Sequence, residues 1–376
     1  MKYMTEFRNF AAAQALSREL HSLCTGIKEI KIMEVCGGHT AAIFKYGLRD
    51  LLPPNIRLMS GPGCPVCVTS NSFLDYAMAL SREPDVIIAS FGDLLRVPGS
   101  HSTLLAEKSK GGDIRICYSS LDALELARKN PSKKIVFLGI GFETTAPTVA
   151  AAIKRAEAEG LKNFLVLSAF KTMPEAMKAL LQSGELALNA FICPGHVSVV
   201  TGLRIYDFIA RDFKTPCVVT GFEPLDLLQA ILMIVRQLKD GRSTVENQYT
   251  RAALPLGNPA AQALLNEIFA PSDVEWRGLG VIPGSGLGIS DAYQAFDAQK
   301  VIPLQLEPAR EQPGCICGSI MRGVKVPTEC KLFAKACNPE NPKGSCMVSD
   351  EGNCATYYKY ARNSRTTVIE NEAGTS

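Results

Sequence analysis

The chain has 376 residues, 47% of them hydrophobic and 20% charged, so it has enough apolar material for compact cores in two or three domains. Forty basic residues against 37 acidic ones give a formal charge of +3, and without any Lys/Arg block this argues against nucleic acid as a partner. No window reaches the roughly eighteen apolar residues of a membrane span, and charges interrupt the N-terminal segment, unlike a signal peptide. We therefore expect a cytoplasmic protein without a membrane partner, whose thirteen cysteines serve metal binding or catalysis rather than a disulfide framework.

Short apolar runs alternate with longer amphipathic stretches from residue 30 to about 240, a pattern typical of βα units that build parallel sheets. Strands are predicted at residues 29–35, 85–90, 114–118, 134–139, 163–168, 190–193 and 217–221. Nearly all of them end in a loop that contains Gly, Cys or His, and in open α/β sheets ligands bind at the carboxyl ends of strands. We predict an α/β protein with two parallel-sheet, Rossmann-like lobes and expect its chemistry in these loops.

The predicted lobes divide near residues 130–133, where Asn-Pro-Ser interrupts a helix that begins at Leu121. Residues 1–130 then form the first lobe, with an N-terminal helix, and residues 131–280 form the second. Residues 281–376 form a linker and a small irregular C-terminal domain, because the stretch up to residue 314 is rich in Pro, Gly and Ser. This last region has too few large apolar residues for its own core, so a metal cluster is the obvious alternative means of holding it.

The first candidate site is Cys36, within residues 34–40 (EVCGGHT). A thiol at the carboxyl end of a strand and beside a helix N-terminus is predicted to have a lowered pKa, which favours the metal-binding thiolate. The paired glycines leave room for another group. The alternative is a buried cysteine in a tight turn with His39 capping the helix, and the spacing alone leaves both interpretations open.

The second candidate is the Cys-x-x-Cys of Cys64 and Cys67, within residues 61–67 (GPGCPVC). The flanking glycines and prolines predict a rigid, exposed turn, in which the two sulfurs can close a disulfide or open to a dithiol. No second Cys-x-x-Cys lies nearby to complete a zinc site, which favours redox chemistry or transient metal binding over structural zinc.

The third candidate comprises the loops at residues 139–145 (GIGFETT) and 193–198 (CPGHVS). A dinucleotide-binding fingerprint would need a third glycine where Thr144 stands. Glu143, Thr144 and His196 are instead polar groups suited to a reactive ligand, and His196 can exchange a proton near neutral pH. N-capping by threonine and hydrogen bonds within the loops are the structural alternative, which the sequence leaves open.

The fourth candidate is a group of six cysteines near the C-terminus. Four of them are spaced by 12, 6 and 16 intervening residues, namely Cys317, Cys330, Cys337 and Cys354, and the two extras are Cys315 and Cys346. Four thiolates suit a [4Fe–4S] cluster, and the long, uneven gaps are unlike the paired Cys-x-x-Cys of a zinc ribbon. The pattern therefore favours iron–sulfur over a Cys₄ zinc site. Three further cysteines in apolar contexts are predicted to be small core residues, namely Cys24, Cys117 and Cys217.

These motifs, in this order, resemble those of the HypD family. Further matches lie at residues 221–226 (GFEPLD), 245–249 (VENQY) and 275–280 (EWRGLG), so the resemblance runs from about residue 29 to 360. It implies a two-lobed α/β protein with a C-terminal [4Fe–4S] domain. It also implies an assembly scaffold with redox chemistry, rather than a conventional turnover enzyme, on which the iron of a [NiFe]-hydrogenase receives cyanide and carbonyl ligands.

The resemblance assigns roles to the candidate residues. It implies that Cys36 holds the iron under assembly. The loop chemistry adds His39, Glu143, Thr144 and His196 as candidate catalytic residues. The redox pair is then Cys64 and Cys67, and the cluster ligands are Cys317, Cys330, Cys337 and Cys354, with Cys315 and Cys346 outside the family pattern. The implied partners are a HypC-type small chaperone, whose cysteine shares the iron, and HypE, which donates cyanide.

Two rival functions use part of the same residues. A stand-alone thiol-disulfide oxidoreductase would explain Cys64 and Cys67, and a stand-alone electron-transfer iron–sulfur protein would explain the C-terminal cysteines. Neither gives a role to the loops that carry His39 and His196. An NAD-dependent oxidoreductase would need the intact glycine fingerprint that this chain lacks.

Overall fold

The computed structural model describes residues 6–361, so residues 362–376 of the predicted C-terminal domain lie outside it. The described chain contains two β-sheets whose strands are mostly parallel, which confirms the predicted α/β class. The strands are β1 (Ile30–Glu34), β2 (Ile56–Ser60), β3 (Val86–Ser90), β4 (Ile114–Ile116), β5 (Lys134–Gly141), β6 (Phe164–Lys171), β7 (Ala190–Pro194), β8 (Cys217–Thr220), β9 (Val245–Asn247), β10 (Phe269–Trp276) and β11 (Gly280–Ile289).

The helices mostly lie between consecutive strands, as βα units require. They are α1 (Phe10–Leu23), α2 (Gly37–Lys45), α3 (Pro65–Val68), α4 (Asn71–Leu80), α5 (Leu104–Ser109), α6 (Ser120–Lys129), α7 (Ala146–Ala158), α8 (Met173–Gln182), α9 (Gly195–Thr201), α10 (Asp207–Asp212), α11 (Pro224–Lys239), α12 (Pro259–Ile268), α13 (Ala298–Val301), α14 (Cys317–Met321) and α15 (Asn353–Tyr360). No helix within residues 6–361 has both the length and the apolar character needed to cross a membrane.

The chain passes back and forth between the two sheets. One sheet has the strand order β2-β1-β7-β8-β9, and the other has the order β10-β11-β6-β5-β3-β4. Strand β3 pairs in parallel with β5, with Ile88 opposite Val136. The predicted boundary at residues 130–133 therefore does not separate the sheets, because β3 and β4 precede it and belong with β5 and β6.

The two sheets share a core. One buried cluster includes Met33 of β1 and Val219 of β8 together with Leu138 of β5 and Leu165 of β6. The outer face of the first sheet is covered by α1 and α11, and that of the second by α6 and α7. Because both sheets bury one face in the same cluster, they form a single packed unit.

The prediction of an irregular connection over residues 281–314 is wrong for its first part. Strand β11 pairs antiparallel with β10 along its length and also contacts β6, where Gly286 lies opposite Lys171. Backbone pairing needs no large side chains, so a Gly- and Ser-rich segment can form a strand when a partner strand lies beside it. Within residues 281–314, the one long stretch without helix, strand or turn is 303–312.

Candidate functional site

Cys36 follows β1 and is the N-cap residue of α2. Cys36 is partly exposed as a residue, although its sulfur is desolvated, and two other parts of the chain approach it closely. A Cβ built on Gly37 would lie 2.6 Å from Glu351, and one built on Gly38 would lie 3.2 Å from the ring of Phe222. The glycines therefore let the C-terminal segment and the loop after β8 meet at Cys36.

A buried carboxyl fixes the Cys36 loop. Glu34 accepts a 2.5 Å hydrogen bond from the Thr40 hydroxyl and a 3.2 Å hydrogen bond from the Cys36 N–H. Burial raises the pKa of Glu34 to about 8. The N–H of Gly37 donates to the carbonyl of Gly63 at 3.1 Å, so the loops after β1 and β2 hold each other.

The prediction of a lowered pKa at Cys36 is wrong. Burial raises the pKa of this thiol to about 12, and the carboxylates of Glu351 and Glu34 add to the rise. The backbone N–H groups of Gly38 and His39 act in the opposite direction but with smaller effect. Removal of water around the sulfur outweighs the helix N-terminus, because the charged form loses its hydration.

Three aromatic rings stack beside Cys36. The ring of Phe222 lies between those of His39 and His196, with centroid distances of 4.6 Å and 4.0 Å. His39 is fully buried, and the backbone of Thr220 and Gly221 lies next to its ring. Burial lowers the pKa of His39 to about 4, and partial burial also lowers that of His196. His39 thus stacks as a neutral ring instead of capping α2.

No sequence motif predicted a role for Phe222. The signal was the repeated Gly-Phe-Glu that follows a strand at residues 141–143 and again at residues 221–223. In the second copy the phenylalanine separates two of the predicted histidines, whereas Phe142 of the first copy lies 6.0 Å from the ring of Trp276. The repeat therefore marks a similar turn with two different packing partners.

The predicted exposed turn at Cys64 and Cys67 is also wrong, since the two residues are only 5% and 2% exposed. They form a disulfide that spans the first turn of α3. The Ser345 hydroxyl donates to the Cys67 carbonyl at 2.8 Å, and the backbone N–H of Arg277 donates to the Val68 carbonyl at 2.9 Å. The C-terminal segment and the end of β10 therefore cover the pair.

Glu143 and Thr144 belong to a different group of contacts. One carboxylate oxygen of Glu143 accepts the Met173 N–H at 2.9 Å, and the other has no partner within residues 6–361. Burial raises the pKa of Glu143 to about 7. Its charge also acts on Tyr206, whose hydroxyl oxygen accepts a 3.3 Å hydrogen bond from Ser198. Thr144 is partly exposed beside Glu143.

The C-terminal cysteines gather around Cys317. The sulfurs of Cys315 and Cys317 lie 3.2 Å apart. A hydrogen bond to Cys317, burial and the nearby Cys346 and Cys315 raise the pKa of Cys354 well above its usual value. Burial, with smaller contributions from Cys317 and Cys315, raises that of Cys337. Both extra cysteines thus belong to the same group as three of the predicted ligands.

Cys330 lies at the edge of this group. It is partly exposed, and its sulfur is 3.9 Å from the carbonyl oxygen of Gly314, the residue before Cys315. The three cysteines predicted to be core residues, at positions 24, 117 and 217, are buried as expected.

The sequence profile of the HypD family, described as "Hydrogenase formation hypA family", matches residues 11–361. The chain belongs to the HypD family. A "Hydrogenase maturation factor HypD" from Rhizobium leguminosarum bv. viciae is 47% identical over 370 residues, covering 96% of each chain. One from Azotobacter vinelandii is 48% identical over 375 residues, covering 98% of this chain and 99% of its own. One from Cupriavidus necator is 46% identical over 371 residues, covering 96% and 98%. The resemblance predicted from the motifs is confirmed.

The cysteine group of this HypD-family chain fits a [4Fe–4S] cluster by its donor chemistry. The thiols crowd one another, and a hydrogen bond with Cys317 together with burial raises the pKa values of Cys315 and Cys354. Such thiolates are the preferred ligands of iron–sulfur clusters. Within residues 6–361, no three His, Cys, Asp or Glu side chains are arranged to hold a single metal ion.

Proposed function

We propose that the chain is a hydrogenase maturation factor that holds an iron atom, its substrate, on the Cys36 sulfur while cyanide and carbonyl ligands are attached. The observation that carries the proposal is the position of Cys36. Outside the C-terminal group, Cys36 is the one free cysteine of the described residues that is not buried, and aromatic rings lie beside it. The names of the relatives support the maturation role.

The side chains around Cys36 have different roles in this proposal. Soft thiolate binds low-spin iron strongly, and the incoming cation replaces the thiol proton when it binds. The open side of Cys36 leaves room for the cysteine of a HypC-type chaperone, and HypE is the cyanide donor. His196, at the exposed end of the aromatic stack, has a ring N–H to donate, and the nitrogen of an iron-bound cyanide is an acceptor. Phe222 keeps water away from one side of the iron.

The C-terminal cysteines would hold a [4Fe–4S] cluster through Cys317, Cys330, Cys337 and Cys354, with Cys315 able to take the place of its neighbour. When bound, that cluster supplies electrons one at a time. The Cys64–Cys67 disulfide takes up two electrons and two protons and becomes two thiols. Ser345 and Arg277 hold this pair against the C-terminal segment, which suits a relay between the cluster and the Cys36 crevice.

The rival function is that of a stand-alone thiol-disulfide or electron-transfer oxidoreductase. The disulfide itself is the observation in its favour. The rival function leaves the partly exposed Cys36 and the His39–Phe222–His196 stack without a role. Anaerobic copurification with a HypC-type chaperone separates the two functions, because a stand-alone enzyme needs no such partner.

The test is the Cys36→Ala variant, purified anaerobically with the HypC-type chaperone. We expect loss of the cyanide and carbonyl stretching bands from the infrared spectrum, with circular dichroism and the iron and sulfide of the cluster unchanged. Cys36→Ser should recover little, because an alcohol is a harder ligand with a much higher pKa. Cys24→Ala, which changes a buried cysteine at the end of α1, is the matched control and should keep the bands. Bands at wild-type intensity in Cys36→Ala would place the iron elsewhere.

A further inference from the structure

Arg277, the residue after β10, is a buried cation with few partners. Its side chain is 3% exposed, and its Nη2 donates to the Pro98 carbonyl at 2.9 Å. Nε and Nη1 have no hydrogen-bond partner within the described residues. The carboxylate of Glu311 lies 3.5 Å from Nε, but that side chain is 62% exposed. A guanidinium stays charged at every relevant pH, so its burial calls for more negative charge than a screened surface carboxylate provides.

The C-terminal cysteine group lies next to this cation. A Cβ built on Gly278 would overlap the Cα of Gly318, so these two backbones touch, and Gly318 directly follows Cys317. Glu311, whose carboxylate lies 3.5 Å from Arg277, comes four residues before Cys315 in the chain. Arg277 therefore lies within electrostatic reach of the thiols that crowd one another.

We propose that Arg277 is the counter-cation of the C-terminal cysteine group and that its charge raises the reduction potential of the iron–sulfur cluster bound there. The proposal rests on the cluster assigned under the proposed function. A cluster held by four thiolates carries net negative charge, and reduction adds to it. A fixed positive charge in a poorly hydrated place favours the reduced form, since net charge and solvent exposure set cluster potentials. Arg277 thus acts through its field, as a positioning residue, and not as a ligand.

The test compares variants of the full chain, purified anaerobically, by redox titration followed by electron paramagnetic resonance. In Arg277→Gln the equilibrium constant for one-electron reduction should fall about tenfold, which is a shift of about 59 mV to more negative potential. Arg277→Lys keeps the charge and should stay close to wild type. Arg211→Gln removes an exposed arginine that pairs with Asp212 on α10 and should change nothing.

A second variant should shift the reduction potential in the opposite direction. Glu311→Gln removes the negative charge that partly cancels Arg277, so the potential should rise, by less than the change in Arg277→Gln because Glu311 is hydrated. If Arg277→Gln cannot hold a cluster, a raised potential in Glu311→Gln with a normal one in Arg277→Lys still supports the proposal. Unchanged potentials in Arg277→Gln and Glu311→Gln, at full iron and sulfide content, overturn it. A wild-type chain that binds neither iron nor sulfide would instead contradict the proposed function itself.

Discussion

Gly63 occupies a position where a side chain cannot be added without moving the Cys36 loop. A Cβ at Gly63 would overlap the backbone N and Cα of Cys36, and backbone atoms cannot rotate away as a flexible side chain can. The same loop accepts the Gly37 N–H at 3.1 Å. At the scale of single residues, the geometry around Cys36 therefore depends on position 63 having no side chain.

Gly63→Ala should lower the free energy of unfolding by about 1–3 kcal/mol, the usual cost of forcing extra volume into a packed site. Gly92→Ala is the control, because a Cβ there would meet only the Ile116 side chain, at 3.9 Å. Urea unfolding followed by circular dichroism measures both. Equal stabilities of the two variants would show that the loop yields easily.

Two buried ionisable groups lie at or just beyond the ends of neighbouring strands of the second sheet, and their pKa values shift in opposite directions. Burial raises the pKa of Glu143 to about 7 and lowers that of Lys171 to about 7. Lys171 lies 3.4 Å from the Ala169 carbonyl and above the ring of Trp276. Both groups are therefore favoured in their neutral forms inside the folded chain.

These shifts give the protein a specific pH dependence of stability. From about pH 4.5 to 7 the unfolded state releases the Glu143 proton and the folded state keeps it, so stability falls as pH rises. From about pH 7 to 10.5 the unfolded state keeps the Lys171 proton and the folded state does not, so stability rises. Each slope is at most about 1.4 kcal/mol per pH unit. Glu143→Gln should remove the first contribution and Lys171→Met the second, in unfolding free energies measured across both windows. Slopes unchanged from wild type would contradict the assignment.

At the scale of elements, the C-terminal segment differs from the rest of the chain. Between Cys315 and residue 361 it has only the short helices α14 and α15 and two 3-10 turns, Pro327–Glu329 and Ser345–Met347. Its buried interior contains the cysteine group. Because metal binding is coupled to the folding of such segments, the cluster should be the main source of its stability.

Cys337→Ala and Cys330→Ala should therefore abolish the broad visible absorption of the cluster and make the chain beyond about residue 315 sensitive to protease. Iron chelation of the wild type should have the same effect. Cys117→Ala, a buried cysteine next to β4, is the control and should leave cleavage and absorption unchanged. Undiminished iron and sulfide in both ligand variants would remove those two cysteines from the ligand set, and Cys315 and Cys346 would be tested next.

At the scale of the whole molecule, the two sheets are interleaved along the chain. Each sheet contains strands from before and after residue 130, and both sheets bury one face in the same cluster. Neither lobe is therefore one continuous stretch of sequence. The contacts that join them have large sequence separation, so the sheets should form cooperatively.

Fragments 1–130 and 131–376, expressed separately, should each lack the dispersed amide spectrum of a folded protein. The first fragment contains β3 without its partner β5, and the second lacks β1, on which β7 pairs. Coexpression should restore the native spectrum, because the break lies between α6 and β5. A natively dispersed spectrum for either fragment alone would mean that a lobe folds independently.

The sequence by itself determined the elements that depend on local pattern. Predicted strands from residues 85 to 221 agree with β3–β8 to within three residues at each end, because strands buried on both faces appear in the sequence as continuous apolar runs. The motifs around Cys36, Glu143 and His196 fall at the carboxyl ends of strands as predicted, and their order identified the family. The sequence pattern did not predict strands β2, β9, β10 and β11.

Only the tertiary structure decided properties that depend on distant residues. The pairing of β3 with β5 crosses the predicted boundary, and β11 becomes a strand because β10 and β6 lie beside it. The disulfide of Cys64 is buried because Ser345 and Arg277 fold over it. The pKa of Cys36 is raised because burial and a carboxylate from the far end of the chain, Glu351, surround the sulfur. Desolvation and long-range charge depend on which parts of the chain meet in space, and local sequence patterns do not contain that information.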